Sequence, residues 1–210
     1  MTDHAGRGRF ITLEGGEGAG KTTQLRRLVD YLGRAGQSVR ATREPGGTPG
    51  AEEIRTLVTG GGVDRWHPMT ELLLMMAARS DHIERVIRPS LARGEWVVSD
   101  RFHDSSRVYQ GLAGGLGLDT VDRLHEPLLD GVLPDLTLIF DLPVETGLAR
   151  RGNEGGGGRF EAKDRGFHEA VRQGFRELAA REPGRFAIID ASVGVDEVSR
   201  QIEAALETIR

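Results

Sequence analysis

The chain has 210 residues, 29% of them charged, with a formal net charge of −4 and no cysteine. That length buries one good core, and the negative balance gives no general attraction to polyanions, so nucleic acid is not the expected partner. The lack of cysteine excludes disulfides and thiolate chemistry and suits a cytoplasmic location, and no run approaches the ~20 apolar residues of a membrane span.

Residues 1–9 lack the apolar core of a signal peptide, and 1–8 read as a disordered tail ahead of one domain over 9–210. The short β-rich run 10–13 enters Gly15-Gly16-Glu17-Gly18-Ala19-Gly20-Lys21-Thr22, a complete G-x-x-x-x-G-K-[ST] phosphate loop. Residues 22–32 then show helical spacing through Leu25, Leu28, Val29 and Leu32. Strand, loop and helix in that order aim helix N-terminal N–H groups at an anion. Glycine is plentiful, so a chance glycine-rich turn is the plain alternative. Lysine is not plentiful: Lys21 and Lys163 are the only two in the chain. A compact ammonium kept where arginine supplies nearly every other cation fits a β/γ-phosphate slot.

A second strand over 38–42 leads into Thr42-Arg43-Glu44-Pro45-Gly46-Gly47-Thr48, a tight turn whose backbone can approach a ligand. Arg55, on a helix over 51–58, can reach an anion there. One long helix is expected over 68–91, with Pro at its start and Arg93-Gly94 after its end. Its apolar face of Leu72, Leu73, Leu74, Met75 and Met76 is ordinary core, but Arg79 is costly to bury alone and has the fork to meet a base carbonyl or a phosphate. The strand 96–99 ends at Asp100-Arg101. Asp100 is placed to join Thr22 around Mg²⁺, with a helix N-cap as the plain alternative, and Arg101 can sit between two phosphates.

Helices over 105–112 and 120–129, a strand over 136–140 and a helix over 144–151 follow. The glycine-rich stretch 152–158 is either an inert linker or a phosphate-covering flap, the latter favoured by Arg150, Arg151 and Arg159 on its two sides. A helix over 167–181, a strand over 186–189 and a helix over 195–209 complete the pattern. Strand–helix alternation predicts a doubly wound α/β fold: a five-stranded parallel sheet, helices on both faces, ligand groups at the strands' carboxyl ends. Those ends carry Glu14, Arg43, Asp100, Asp141 and Asp190.

Four motifs in this order resemble bacterial thymidylate kinases: Glu14-Gly15 leading into the phosphate loop, Thr42 through Thr48, Ala77-Ala78-Arg79, and Asp100-Arg101 continuing to Asp104-Ser105-Ser106 and Tyr109-Gln110-Gly111. The resemblance runs from about Phe10 onward. It implies a P-loop NTPase fold with a flexible lid at about 150–162. It also implies a homodimer, and transfer of the γ-phosphoryl of ATP to dTMP with Mg²⁺, giving dTDP for dTTP synthesis. By position it puts ATP on Gly15 to Lys21, Thr22 and Thr23, and Mg²⁺ on Thr22 and Asp100. The acceptor phosphate falls to Arg55 and Arg101, the thymine edge to Arg79 and Ser106, and the deoxyribose to Tyr109. Glu14 would lie near the sugar or the metal, and Pro45, Ser105 and Gln110 also line the dTMP site. The loop has Glu17-Gly18 and no arginine, so the chain resembles the lid-arginine type, with Arg159 and Arg151 joining Lys21 and Arg101 as catalytic cations. Met75 stands where the family usually has a Phe against thymine. The alternatives are another nucleoside monophosphate or deoxynucleoside kinase, or a nucleotide-dependent switch. The guanine-reading Asn-Lys-x-Asp of the GTP switches is absent.

Overall fold

The structure, a computed structural model, describes residues 7–153 and 158–209. Strands β1 (Phe10–Gly15), β2 (Val39–Arg43), β3 (Trp96–Asp100), β4 (Leu136–Asp141) and β5 (Phe186–Asp190) form one parallel sheet in the order β2-β3-β1-β4-β5. The helices are α1 (Lys21–Arg34), α2 (Pro49–Thr59), α3 (Pro68–His82), α4 (Arg88–Ala92), α5 (His103–Ser106), α6 (Leu118–Leu129), α7 (Val144–Asn153), α8 (Arg165–Arg181) and α9 (Val195–Leu206). Every strand runs past its apolar stretch because the polar residue at its end stays in the ladder. Leu13 and Arg43 both pair with Asp100, and Asp141 pairs with Asp190.

The two-residue period of the strands sorts the core. Ile11, Leu13, Val98, Leu138 and Phe140 pack with Leu28 and Leu32 of α1 and Val198, Ile202 and Leu206 of α9. The alternate residues face the other way: Phe10 and Val97 meet Ile83, Ile87, Leu91 and Phe102, and Ile139 meets Val171, Phe175 and Leu178 of α8. Fully burying one such side chain stabilises by about 1.5–3 kcal/mol. Helices thus cover both faces, as the alternation predicts.

Four details differ from the sequence expectation. The long helix over 68–91 is broken by a π-helical turn, Ile83–Ile87, in which the Arg88 N–H reaches back to the Ile83 carbonyl. Pro89 has no N–H to offer Arg85, so the chain widens just ahead of it. The helix over 105–112 is α5 followed by a second π turn, Arg107–Leu112, which carries Tyr109 and Gln110. The ordered body begins before Arg9, since the buried Gly8 N–H donates to the Leu91 carbonyl at 3.0 Å. Helix α7 runs on to Asn153, into the stretch expected to be a flap. The rest of that stretch up to residue 157, and most of the expected tail, lie outside the described residues.

Candidate active site

The carboxyl ends of β1 and β3 are neighbours, and one cleft of about 1040 Å³ opens above them. Its floor is the phosphate loop. Gly20 caps α1 with φ 85°, a left-handed conformation that glycine reaches without strain, and the first turn of α1 points its N–H groups into the cleft. Gly15, at φ 136°, lies so near the neighbouring strand that a Cβ would come within 2.6 Å of the Phe140 oxygen. The Lys21 ammonium folds over the loop and donates to the carbonyls of Gly16 at 2.8 Å and Gly15 at 3.2 Å. Burial first, then the charge of Arg101, lowers its pKa from the ordinary value. A bound anion reverses that bias.

Thr22 at the start of α1 and Asp100 at the end of β3 come together as expected, the hydroxyl donating to the carboxylate at 3.3 Å. Arg101 follows in a left-handed conformation, φ 72°, which is strained for any residue with a Cβ. That turn brings its guanidinium back across the loop. It donates to the Gly15 carbonyl at 3.0 Å, to Glu17 at 2.8 Å and to the Ser105 hydroxyl at 3.2 Å, and it lies over the Tyr109 ring at 5.0 Å from the centroid. Tyr109 donates its own hydroxyl to Glu17 at 3.1 Å. Arg55 enters from α2 and donates to the Pro45 carbonyl at 2.8 Å. Burial, followed by the neighbouring Arg43, lowers its pKa, so this cation too is short of negative charge.

Beyond these cations the wall is built by α3 and the second π turn. Met75 and Arg79 of α3, Ser106 of α5, and Gln110 all line the cleft. Arg79 is 3% exposed, and its planar fork is largely spent inside the protein. It donates to Glu44 at 2.7 Å, to Ser106 at 3.0 Å, to the Phe102 carbonyl at 3.0 Å, and to His125 Nε2 at 2.6 Å. Four of five N–H groups are thereby used, leaving one for a ligand. Burial disfavours the Glu44 anion, but Arg79 and the His82 hydrogen bond at 2.9 Å outweigh it and hold its pKa below the ordinary carboxylate value. Burial, then Arg79, pushes His125 down to about 3, which keeps its Nε2 an acceptor.

Three residues, Glu14, Asp104 and Arg159, do not line the cleft. Glu14 has no exposure and does not line the cleft. It accepts from the Phe102 N–H at 2.8 Å, the Ser105 N–H at 3.2 Å and the Ser105 hydroxyl at 2.6 Å, so it anchors the start of α5 to the end of β1. Asp104 is likewise fully buried, clamped by Arg185 at 2.7 Å and Arg107 at 3.1 Å. Arg159 points away from the cleft lining. It is 2% exposed, donates to the Val58 and Val63 carbonyls at 2.9 and 3.2 Å, and is paired with Glu71. A buried cation takes the nearest complete set of acceptors, and the end of α2 and start of α3 supply it. The Arg151 side chain lies outside the described residues.

The structure also brings in Glu71, to which the sequence assigned no role. Glu71, Met75 and Arg79 recur every four residues along one face of α3, a spacing that was there to be read. Arg150 with Ala191, Val193, Gly194 and Val195 lines the far end of the cleft, beyond the phosphate loop. Only the general rule that ligands gather at strand carboxyl ends points to the loop after β5.

The thymidylate kinase family model matches residues 13–202. The chain is 56% identical over 195 residues to the thymidylate kinase of Caulobacter vibrioides, covering 93% of this chain and 94% of that one. It is 50% identical over 210 residues to the thymidylate kinase of Rhodopseudomonas palustris, covering 95% of this chain and 89% of that one. The crystal structure of thymidylate kinase from Ehrlichia chaffeensis superposes with a TM-score of 0.77 at 32% identity, covering 95% of this chain and 99% of that one. The chain belongs to the thymidylate kinase family.

Proposed function

We propose that this protein transfers the γ-phosphoryl group of ATP to dTMP, releasing ADP and dTDP. One observation carries the reading. A single cleft joins a phosphate loop at one end to a base-sized wall of Met75, Arg79, Ser106 and Gln110 at the other, with Arg55 and Arg101 between. In that arrangement the loop and Lys21 take the donor phosphates, and Arg55 and Arg101 take the acceptor phosphate. The remaining Arg79 N–H and Gln110 meet the thymine edge, and Tyr109 closes against the sugar.

The acceptor needs no general base. A phosphate monoester has a second pKa of about 6 and is mostly dianionic at neutral pH, so its oxygen is already nucleophilic. The barrier is repulsion between two polyanions, and positioning together with cations lowers it. Lys21 and Arg55, both with lowered pKa values in the free protein, regain their full basicity when those anions arrive. The donor set fits Mg²⁺: one hydroxyl and one carboxylate, Thr22 and Asp100, suit an ion that keeps most of its waters and takes its other ligands from phosphate. When bound there it neutralises charge on the β- and γ-oxygens. A homodimer belongs to the same proposal, supported by exposed Leu57 and Leu73 on the packed helices α2 and α3; light scattering of the purified protein tests it.

ADP release measured with ATP and each of dTMP, dUMP, dCMP and thymidine tests the function. Turnover with dTMP far above the others is expected. Preference for thymidine would instead make the chain a nucleoside kinase, and ATP hydrolysis indifferent to every acceptor would refute both.

A further inference from the structure

Gln110 sits 2% exposed at the base end of the cleft, and its amide is not free to turn. Its Nε2 donates to Glu71 Oε1 at 2.7 Å. A carboxylate only accepts, so the opposite amide orientation would face oxygen against oxygen. The other oxygen of Glu71 accepts from the buried Arg159 guanidinium, which fixes where this side chain points. With Nε2 pinned on Glu71, the Gln110 carbonyl oxygen Oε1 is what the amide offers on its other side.

We propose that Glu71 is a positioning residue for base selection: by holding the Gln110 amide in one orientation it presents a hydrogen-bond acceptor to the base and so requires an N–H at ring position 3. The inference rests on the functional reading above. Thymine and uracil carry that N–H; cytosine has a bare nitrogen there, which would meet Oε1 lone pair to lone pair. Glu71 itself touches no substrate. Its reach comes through Gln110, and Arg159 is what orients Glu71. Arg79, a donor in every state, faces the same end of the cleft and rejects the cytosine amino group independently, so Glu71 accounts for part of the discrimination and not all of it.

The test measures kcat/KM for dTMP, dUMP and dCMP on the wild type, Glu71→Gln, Glu71→Asp and Gln110→Met. A carboxamide at position 71 can donate as well as accept, so the Gln110 amide is released to turn over. Glu71→Gln should then lower the dTMP-to-dCMP preference by about tenfold or more, as expected when an unpaired buried acceptor is relieved. The dTMP-to-dUMP preference should not move, because both bases carry the N–H. Glu71→Asp, which keeps acceptor-only chemistry, should retain most of the preference. Gln110→Met should lose it, and adding Glu71→Gln to Gln110→Met should lose no more. If Glu71→Gln slows dTMP and dCMP equally, Glu71 is structural only and the proposal falls. Should that variant fail to fold, Gln110→Met decides: an unchanged dTMP-to-dCMP preference overturns the proposal and a lost one supports it. A wild type without turnover on dTMP would overturn the functional reading together with this one, whereas normal dTMP turnover with an unmoved preference overturns this one alone.

Discussion

Replacing Arg79 by alanine should damage the protein in two separable ways. The guanidinium shares its site with Glu44, whose side chain is 2% exposed, at 2.7 Å. Removing the cation leaves that carboxylate buried with only His82, itself wholly buried, at 2.9 Å. An ion pair broken from one side inside a protein costs about 3–5 kcal/mol, because the surviving charge has lost its compensation. On the proposed reading the remaining N–H of Arg79 meets the base, so the KM for dTMP should also rise by about tenfold while that for ATP stays near the wild-type value. Urea unfolding at pH 7 of Arg79→Met, Glu44→Gln and the double variant separates the terms. The double variant should recover much of what Arg79→Met loses, since no charge is then stranded. A loss below about 1 kcal/mol in Arg79→Met, or a double variant no better than the single one, would refute the argument from the buried charge.

Lys21→Ala should abolish transfer without disturbing the fold, and Lys21→Arg should fail nearly as badly, because a planar fork does not fit among the Gly15 and Gly16 carbonyls; steady-state turnover and a melting curve on each will check it. Arg151→Ala should lower kcat by roughly 10²–10³ with both KM values little changed, if Arg151 meets charge on the transferring group. Arg159→Ala should instead lower thermal stability and weaken dTMP selection, because it strands Glu71; equal kinetic signatures for the two variants would show that they share one role. Met75→Phe should be tolerated and tighten dTMP binding by about 0.5–1.5 kcal/mol through ring stacking, with weaker binding by calorimetry marking an overpacked wall instead. Burial pushes Glu14 from an ordinary 4.5 up to about 7 against the opposing charge of Arg101. Between those values the folded state holds more protons at this position than the unfolded one. The contribution is therefore full below pH 4.5 and lost, to about 3 kcal/mol, as pH rises to 7. Glu14→Gln should remove that loss, and denaturation midpoints from pH 4.5 to 7.5 that run parallel in both proteins would contradict it.

The strands and the phosphate loop could be read from the chain because each is a local signal. Apolar runs of alternating direction end in a polar residue, and Gly-Lys-Thr follows a run of glycines at fixed spacing. What stayed hidden depends on partners far away in sequence. Glu14 reads as a cleft acid until Phe102 and Ser105 fold over it and consume both oxygens. Arg159 reads as a lid cation beside its glycines, yet the ends of α2 and α3 satisfy it more fully than solvent could. The π turn that carries Gln110 differs from an α-helix by one residue of winding, and neither composition nor periodicity signals it. Conversely, Arg79 was legible as an anomaly on an apolar face, but its four internal bonds were not, since Glu44, the Phe102–Ser106 turn and His125 come from three separate segments.

The pairing of Leu13 with Asp100 places the entry to the phosphate loop and the end of β3 one strand spacing apart, about 4.8 Å, in the middle of the sheet. Lys21, Thr22, Asp100 and Arg101 therefore inherit their separations from a backbone ladder that opens only when the whole molecule unfolds. The alignment that in-line transfer demands is thus set once, at folding, by the strand ladder, and need not be assembled anew in each catalytic cycle.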